Sequence, residues 1–228
     1  MPSRSKPSAF KAVPLPRGRH GLPAEVVRAS QRERLVRAML ALVAERGYAA
    51  TTVPAVVAHA RASRNAFYEF FKDKQECFLA ACEEAAADVL ATMQTFGIEA
   101  DWLTGVRRGF DVWLRWWEAR PGFSLAFLVE LPLVGAAAFQ QRERFFAAFE
   151  DLFRRLGDRI RREHPELPPL PAYAPRAVVL LVLEMMASEI RAGGVARLRA
   201  IEPALLHLTV RFLADDKTAS PLLPPAPG

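Results

Sequence analysis

Apolar positions recur at steps of three and four along almost the whole chain, and nowhere alternate as a half-buried strand would. Leu35, Val36, Met39, Leu40, Leu42 and Val43 mark a first amphipathic helix, closed by Gly47. Ser30 and Glu33 stand at capping-box spacing before it, and 23–29 reads as a separate short helical stretch with Pro23 in its first turn. Thr52 is placed to cap a second helix with Pro54 in its first turn and Val53, Val56, Val57 and Ala60 as its buried stripe. That helix ends near Arg61, Ser63 caps a third, short helix, and Asp73 with Glu76 opens a fourth that runs to about Thr95.

The same period continues to the C-terminus. Trp102, Val106, Phe110, Trp113 and Trp117 share one face of a helix that Pro121 stops. Phe139, Phe145, Phe146, Phe149 and Phe153 line a long helix ended by the Pro-rich 165–175 loop. Residues 176–192 have few polar positions and predict a helix covered on nearly all sides, terminated by Gly193 and Gly194. A last helix follows Glu202 and Pro203 and carries Leu205, Leu206, Leu208, Val210, Phe212 and Leu213. The expected fold class is all-α.

Composition adds a division of labour. The chain has 228 residues, 51% hydrophobic and 25% charged, enough to bury a sizeable core. Residues 1–75 carry 14 Lys and Arg against 5 Asp and Glu, whereas the remainder is mildly acidic. A basic first third suits a polyanionic partner, and equally a solvated surface. Residues 1–24, with five prolines and Arg17, Arg19 and His20, read as a flexible basic arm. It could reach a DNA minor groove or merely add non-specific attraction. Residues 217–228 read as a disordered tail.

Cys77 and Cys82 offer neither a disulfide framework nor metal-ligand spacing and suit reduced thiols. No metal or cofactor is expected. No apolar signal segment stands at the start, and the apolar run from Leu125 to Phe139 is interrupted by Glu130 and Pro132, too short to span a bilayer. The expectation is a soluble cytoplasmic chain with no membrane partner. The four histidines, at 20, 59, 164 and 207, lie far apart, and no nucleotide-binding, hydrolase or metalloprotease motif occurs, which argues against an enzyme.

The chemistry concentrates in the third helix. A short helix entered by a tight turn from another short helix is the layout of a helix-turn-helix, whose second helix offers its N-terminal residues to the DNA major groove. Phe67 and Phe71, four residues apart, can pack inward and leave Arg64, Asn65 and Tyr68 on the other side. Arg suits guanine edges, Asn suits adenine, and hydroxyl or ammonium groups suit phosphates. Lys74 sits at a helix start, where free amides favour an anion. An amphipathic helix with a solvated face would carry the same pattern.

The run "RERLVRAMLALVAERGYAATTVPAVVAHARASRNAFYEFFKDKQECF" resembles the N-terminal domain of the TetR family of bacterial transcriptional regulators. The matching features are Gly47-Tyr48, Thr51-Thr52-Val53, Ala60, Ser63 and the Phe67-Tyr68-x-x-Phe71-x-x-Lys74 run, in 47 of the 228 residues. The resemblance implies a DNA-binding head at 25–76 and a helical ligand-binding and dimerisation body at 77–216. It implies phosphate contacts from Thr52, Tyr68 and Lys74, with Ser63, Arg64, Asn65 and Ala66 facing bases of a palindromic double-stranded operator. Arg61 stands where the family usually has Gly, and Asn65 where a Gly or a small or basic residue is common.

For the body, the resemblance implies a homodimer and a small-molecule effector. Trp102, Phe110, Trp113, Trp117, Phe149, Met185 and Met186 are the expected wall of an apolar cavity for a hydrophobic or aromatic ligand, although a plain core would use the same residues. Glu184 and Arg191 are its possible polar contacts, and the helices at 176–192 and 203–214 are expected to form the dimer face. The leading expectation is a ligand-responsive homodimeric repressor. A DNA-binding dimer with no small-molecule ligand remains an alternative, and a helical enzyme a more distant one.

Overall fold

The computed structural model describes residues 23–94 and 101–219, so the basic arm with Arg17, Arg19 and His20, and the tail from 220, lie outside the described residues. The described residues contain no strand and fold as α1 (Ala24–Ala50), α2 (Val53–Ala60), α3 (Arg64–Phe70), α4 (Lys74–Gln94), α5 (Trp102–Glu118), α6 (Pro121–Leu125), α7 (Ala136–Glu163), α8 (Ala174–Gly193), α9 (Glu202–Leu213) and α10 (Asp216–Ala219). A π-helical turn, Ala126–Glu130, and a 3-10 turn, Leu131–Leu133, continue α6, and a second 3-10 stretch, Val195–Ile201, precedes α9.

The first helix starts earlier than its apparent capping box. Residues 23–29 are not a separate element: Pro23 caps α1, and Ser30 and Glu33 are interior to it. Glu33 pairs with Arg37 one turn on, so it has no helix start to close. Gly47 does break the helix, with φ 79 and ψ 163, and one further turn follows it. Thr51, fully buried, donates its hydroxyl to the Gly47 carbonyl at 2.8 Å and fixes the exit of that turn.

One apolar core runs through the molecule from Leu35, Met39 and Val43 on α1, through Phe67 and Phe78, to Trp117, Met186 and Leu205. The expected boundary at 76/77 falls inside α4, which packs on α1 at one end and on α5 and α7 beyond. Polar pins fix the body helices. Asp88 accepts from the Trp116 indole at 2.9 Å and pairs with Arg120 at 3.0 Å, tying α4 to α5. Gln141, buried, donates to the Leu79 carbonyl at 2.8 Å and ties α7 to α4. Arg199 reaches Asp111, Glu118 and Glu202 together and locks the second 3-10 stretch to α5 and α9.

Three expectations about surfaces change. Phe139 is 57% exposed, because it lies on the outer side of α7, turned away from the side on which Ala138 and Gln141 are buried. In the single chain α8 is not covered all round: Leu180, Glu184 and Ser188 form an open stripe opposite its buried Val178, Val182 and Met186. The described chain also extends into the stretch read as a tail, since α10 packs on α9 and Ala219 is buried. No described helix is long and apolar enough to cross a membrane.

Candidate functional site

The geometry of the α2–α3 hairpin is set by local caps. Thr52 accepts from the Ala55 amide at 3.4 Å and starts α2; Ser63 accepts from the Ala66 amide at 3.0 Å and starts α3. Between them Arg61 adopts φ 50 and ψ 44, the left-handed conformation that usually selects Gly. Its amide donates to the Ala58 carbonyl at 3.2 Å, and the Ala62 amide reaches back to Val57 at 3.0 Å. This six-to-one bond is that of a Schellman ending. Arg34 of α1 adds its guanidinium to the Ala60 and Arg61 carbonyls at 3.3 and 3.5 Å, so the end of α2 is held from outside the hairpin.

This scaffold turns one side of α3 inward. Phe67 is 0% and Phe71 3% exposed, and the Tyr68 ring packs edge-on to Phe67 at 5.4 Å. The other side stays in solvent: Ser63, Arg64, Asn65 and Tyr68 are exposed at the N-terminal end of α3, and Thr52 is exposed at the start of α2. The Arg64 guanidinium lies 5.8 Å from the Tyr68 ring centre, so the two present a joined basic and hydroxyl-bearing surface.

Two expected contacts are placed otherwise. Ala66 is only 8% exposed and belongs to the inward side, one position before Phe67, so it does not share a face with Arg64 and Asn65. Lys74 is not a free cation at a helix start. Its ammonium donates to the Tyr48 and Ala49 carbonyls at 2.9 and 3.4 Å and lies 4.2 Å from the Tyr48 ring centre, closing the last turn of α1. Asp73 and Glu76 do cap α4, with one departure: Glu76 accepts from the Lys72 amide at 2.7 Å. Cys77 and Cys82 are fully buried, and burial pushes the Cys77 thiol up to about 12 and the Cys82 thiol higher still, so neither is poised to react.

A second feature lies in the body. A cavity of about 320 Å³ opens between α4, α5 and α7. Trp102, Phe110, Trp113 and Phe149 line it, joined by Met93 and Phe153. Trp117, Met185 and Met186 are not among its lining residues. Trp117 lies 15 positions beyond Trp102, about 22 Å along the helix, where it stacks on Phe123 at 5.2 Å and 19°. Met186 faces the core of α8, with Met185 beside it partly buried. Glu184 and Arg191 pair with each other at 2.6 Å on the open side of α8, away from the cavity. Arg155, Arg159 and Arg162 of α7 also line the cavity, as do Gly105 and Gly109, where α5 presents bare backbone. The i, i+4 glycines and the arginine ladder were visible in the sequence only as helix-compatible spacing.

Head and body touch at a third place. Glu130, the last residue of the π-helical turn, accepts from the Tyr48 amide at 3.0 Å, directly behind Gly47. A Cβ at Gly47 would stand 3.4 Å from a Glu130 carboxylate oxygen. From this turn, rings run back to the cavity: Phe127 to Phe145 at 4.6 Å, Phe145 to Phe149 at 4.7 Å, and Phe149 to Trp113 at 6.1 Å.

Comparisons with known proteins agree on this architecture. A family model described as bacterial regulatory proteins of the tetR family matches residues 35–81. The HTH-type transcriptional regulator YerO of Bacillus subtilis is 38% identical over 53 residues, a stretch that spans 23% of this chain and only 18% of that relative. Among solved structures, FadR of Bacillus subtilis in complex with stearoyl-CoA superposes with a TM-score of 0.69 at 13% identity, over 79% of this chain and 98% of that one. A regulatory protein of the tetR family from Rhodococcus RHA1 gives a TM-score of 0.63 at 17% identity, over 81% and 97%. Such identities speak for the fold. Residues 35–81 thus match the model of the tetR family of bacterial regulatory proteins, and the chain is similar in fold to solved bacterial regulators.

Proposed function

We propose that the chain is a ligand-responsive, homodimeric transcriptional repressor that reads a palindromic operator with α3. The observation that carries this reading is the exposed edge of Ser63, Arg64, Asn65 and Tyr68 on a helix whose opposite side is anchored by Phe67 and Phe71. Arg64 and Asn65 are the proposed base contacts, and Thr52 and Tyr68 hold phosphates. Lys74 has spent donors on two carbonyls, so its main part is to seat α1, with a remaining N–H for phosphate. The open stripe of α8, together with the partly buried outer side of α9, is the proposed two-fold interface, which would cover Leu180 and set two α3 helices at a spacing matched to a palindrome.

The cavity is the proposed effector site. Support comes from its apolar wall and from a regulator of the same fold, FadR of Bacillus subtilis, being in complex with stearoyl-CoA. A ligand that prefers one body conformer draws the population from the DNA-competent one. The ring path from Trp113 to Phe127, ending at the Glu130 contact with Tyr48, is the proposed route by which the head feels the cavity.

Selection of bound duplexes from a random pool should return a two-fold symmetric sequence, and sedimentation should give twice the chain mass. A pool with no shared sequence, or a monomer at micromolar concentration, would refute the operator reading or the dimer respectively. Asn65→Ala should relax preference at one base pair, whereas Tyr68→Phe should weaken binding to all sequences alike.

A further inference from the structure

We infer that the body cavity takes an amphiphile with an elongated apolar part and an anionic head, the head held by Arg155, Arg159 and Arg162. The inference rests on the reading of this cavity as an effector site and adds the ligand's chemical class.

Four features converge on it. The wall is aromatic and aliphatic from Trp102 and Phe110 on α5 to Phe149 and Phe153 on α7, and an apolar group gains by leaving water there. The charged side chains that line the main cavity are three arginines, spaced four and three apart on α7, and no carboxylate residue lines it among the described residues. A cavity built only to hold hydrocarbon has no use for a triple cationic edge. Guanidinium forks, by contrast, match the paired oxygens of a carboxylate or phosphate ester.

The third feature is shape. A smaller cavity of about 140 Å³ shares Met93, Leu152 and Arg155 with the first, so the accessible space is elongated across the inner face of α7. The fourth is an unsatisfied donor. Trp113, a wall residue only 5% exposed, has an indole N–H buried with no acceptor among the described residues. A buried donor without a partner is costly, and a ligand oxygen would relieve it. An amphiphile carrying oxygen at the junction of chain and head meets both the indole and the arginines.

The arginines are not idle in the empty chain. Arg155 pairs with Asp151 and Arg159 with Glu163, at 2.7 Å for the latter. Both pairs are i, i+4 on the surface of α7, where such pairs are worth little. An anionic head can therefore share or displace these carboxylates, and Arg162, two turns from Arg155, adds a third cation.

The test uses the full chain and probes of one chain length below their micellar concentrations: dodecanoate, dodecyl phosphate, dodecanol and dodecyltrimethylammonium. Binding is followed by tryptophan fluorescence, since Trp102 and Trp113 line the cavity. At least one of the two anions should bind ten times or more tighter than the alcohol, and the cation weakest. Which anion leads tells a carboxylate from a phosphate source. Arg159→Gln with Arg162→Gln should bring the anion's affinity down to the alcohol's. Arg162→Glu alone, at an exposed position outside the Arg159 pair, should reverse part of the preference without endangering the fold. Equal binding of alcohol and anions, or tightest binding of the cation, overturns the anionic head and leaves the effector cavity standing. If none of the four binds while the chain still binds DNA, the effector reading falls with it.

Discussion

The head and the cavity are made of the same helices-and-aromatics vocabulary, yet they are specified differently. Much of what shapes α3 is written within a few residues of it, although Arg34 of α1 also holds the turn: Ser63 caps at three residues' distance, Arg61 turns the chain, and Phe67 and Phe71 face inward one turn apart. The cavity has no local cause. Met93, Trp113 and Phe149 come from three helices, and what brings them together is the packing of α4, α5 and α7 around pins such as Asp88 with Trp116 and Gln141 with Leu79. Local rules set the reader, and long-range packing sets the chamber.

The contrast can be broken most forcefully at Phe67. Phe67→Ala removes a fully buried ring and should cost about 3–5 kcal/mol in urea unfolding, abolishing DNA binding at growth temperature. If DNA binding persisted, the inward side of α3 would not be what orients its outer edge. Next comes the joint between the regions. Glu130→Ala leaves the Tyr48 amide without its carboxylate and, partly exposed as the site is, should cost about 1–2 kcal/mol. Its informative readout is the change in operator affinity on adding ligand, which should shrink even where ligand binding itself is intact. A wild-type response in Glu130→Ala would show that the two regions communicate elsewhere.

Two smaller substitutions sharpen the account of the head. Ser63→Ala should lose about 1 kcal/mol of thermal stability through its cap, a loss that Ser63→Asp should not share. Arg61→Gly should raise stability by up to about 1 kcal/mol, since Gly accepts the left-handed conformation without the strain an L side chain bears and part of the gain is offset in the unfolded chain. A melting temperature lowered by Arg61→Gly would mean that its side chain contributes more than its backbone costs.

The same contrast explains what could be read from the chain alone. The all-helical fold, the caps at Thr52 and Ser63 and the inward pair Phe67 and Phe71 follow from periodicity and short-range chemistry, and the structure has them. Ala66 was misplaced because a helix turns about 100° per residue, so the neighbour of Asn65 already faces the core. Lys74 was legible as a cation near a helix start but not as the partner of Tyr48, 26 residues earlier. In the body, periodicity assigned Trp102, Trp113 and Trp117 to one stripe, yet distance along α5 separates the wall of the cavity from the plain core. The arginines of α7 carry no signal in the sequence, because nothing in their own helix says that a chamber opens beside them.

The contact behind Gly47 also bears on how such a chain can be remade. Glu130 grips a main-chain amide and requires of its neighbour only that it turn with φ 79, a conformation L side chains rarely adopt. A docking point that ignores side-chain identity is a standard coupling. Substitutions in the reading edge of α3 leave that fitting untouched, whereas an exchange of whole heads would also have to match the apolar seam where α1 packs on α4 and α6. What is read can thus diversify residue by residue, while head and body stay joined by a shared core as well as by this backbone hydrogen bond.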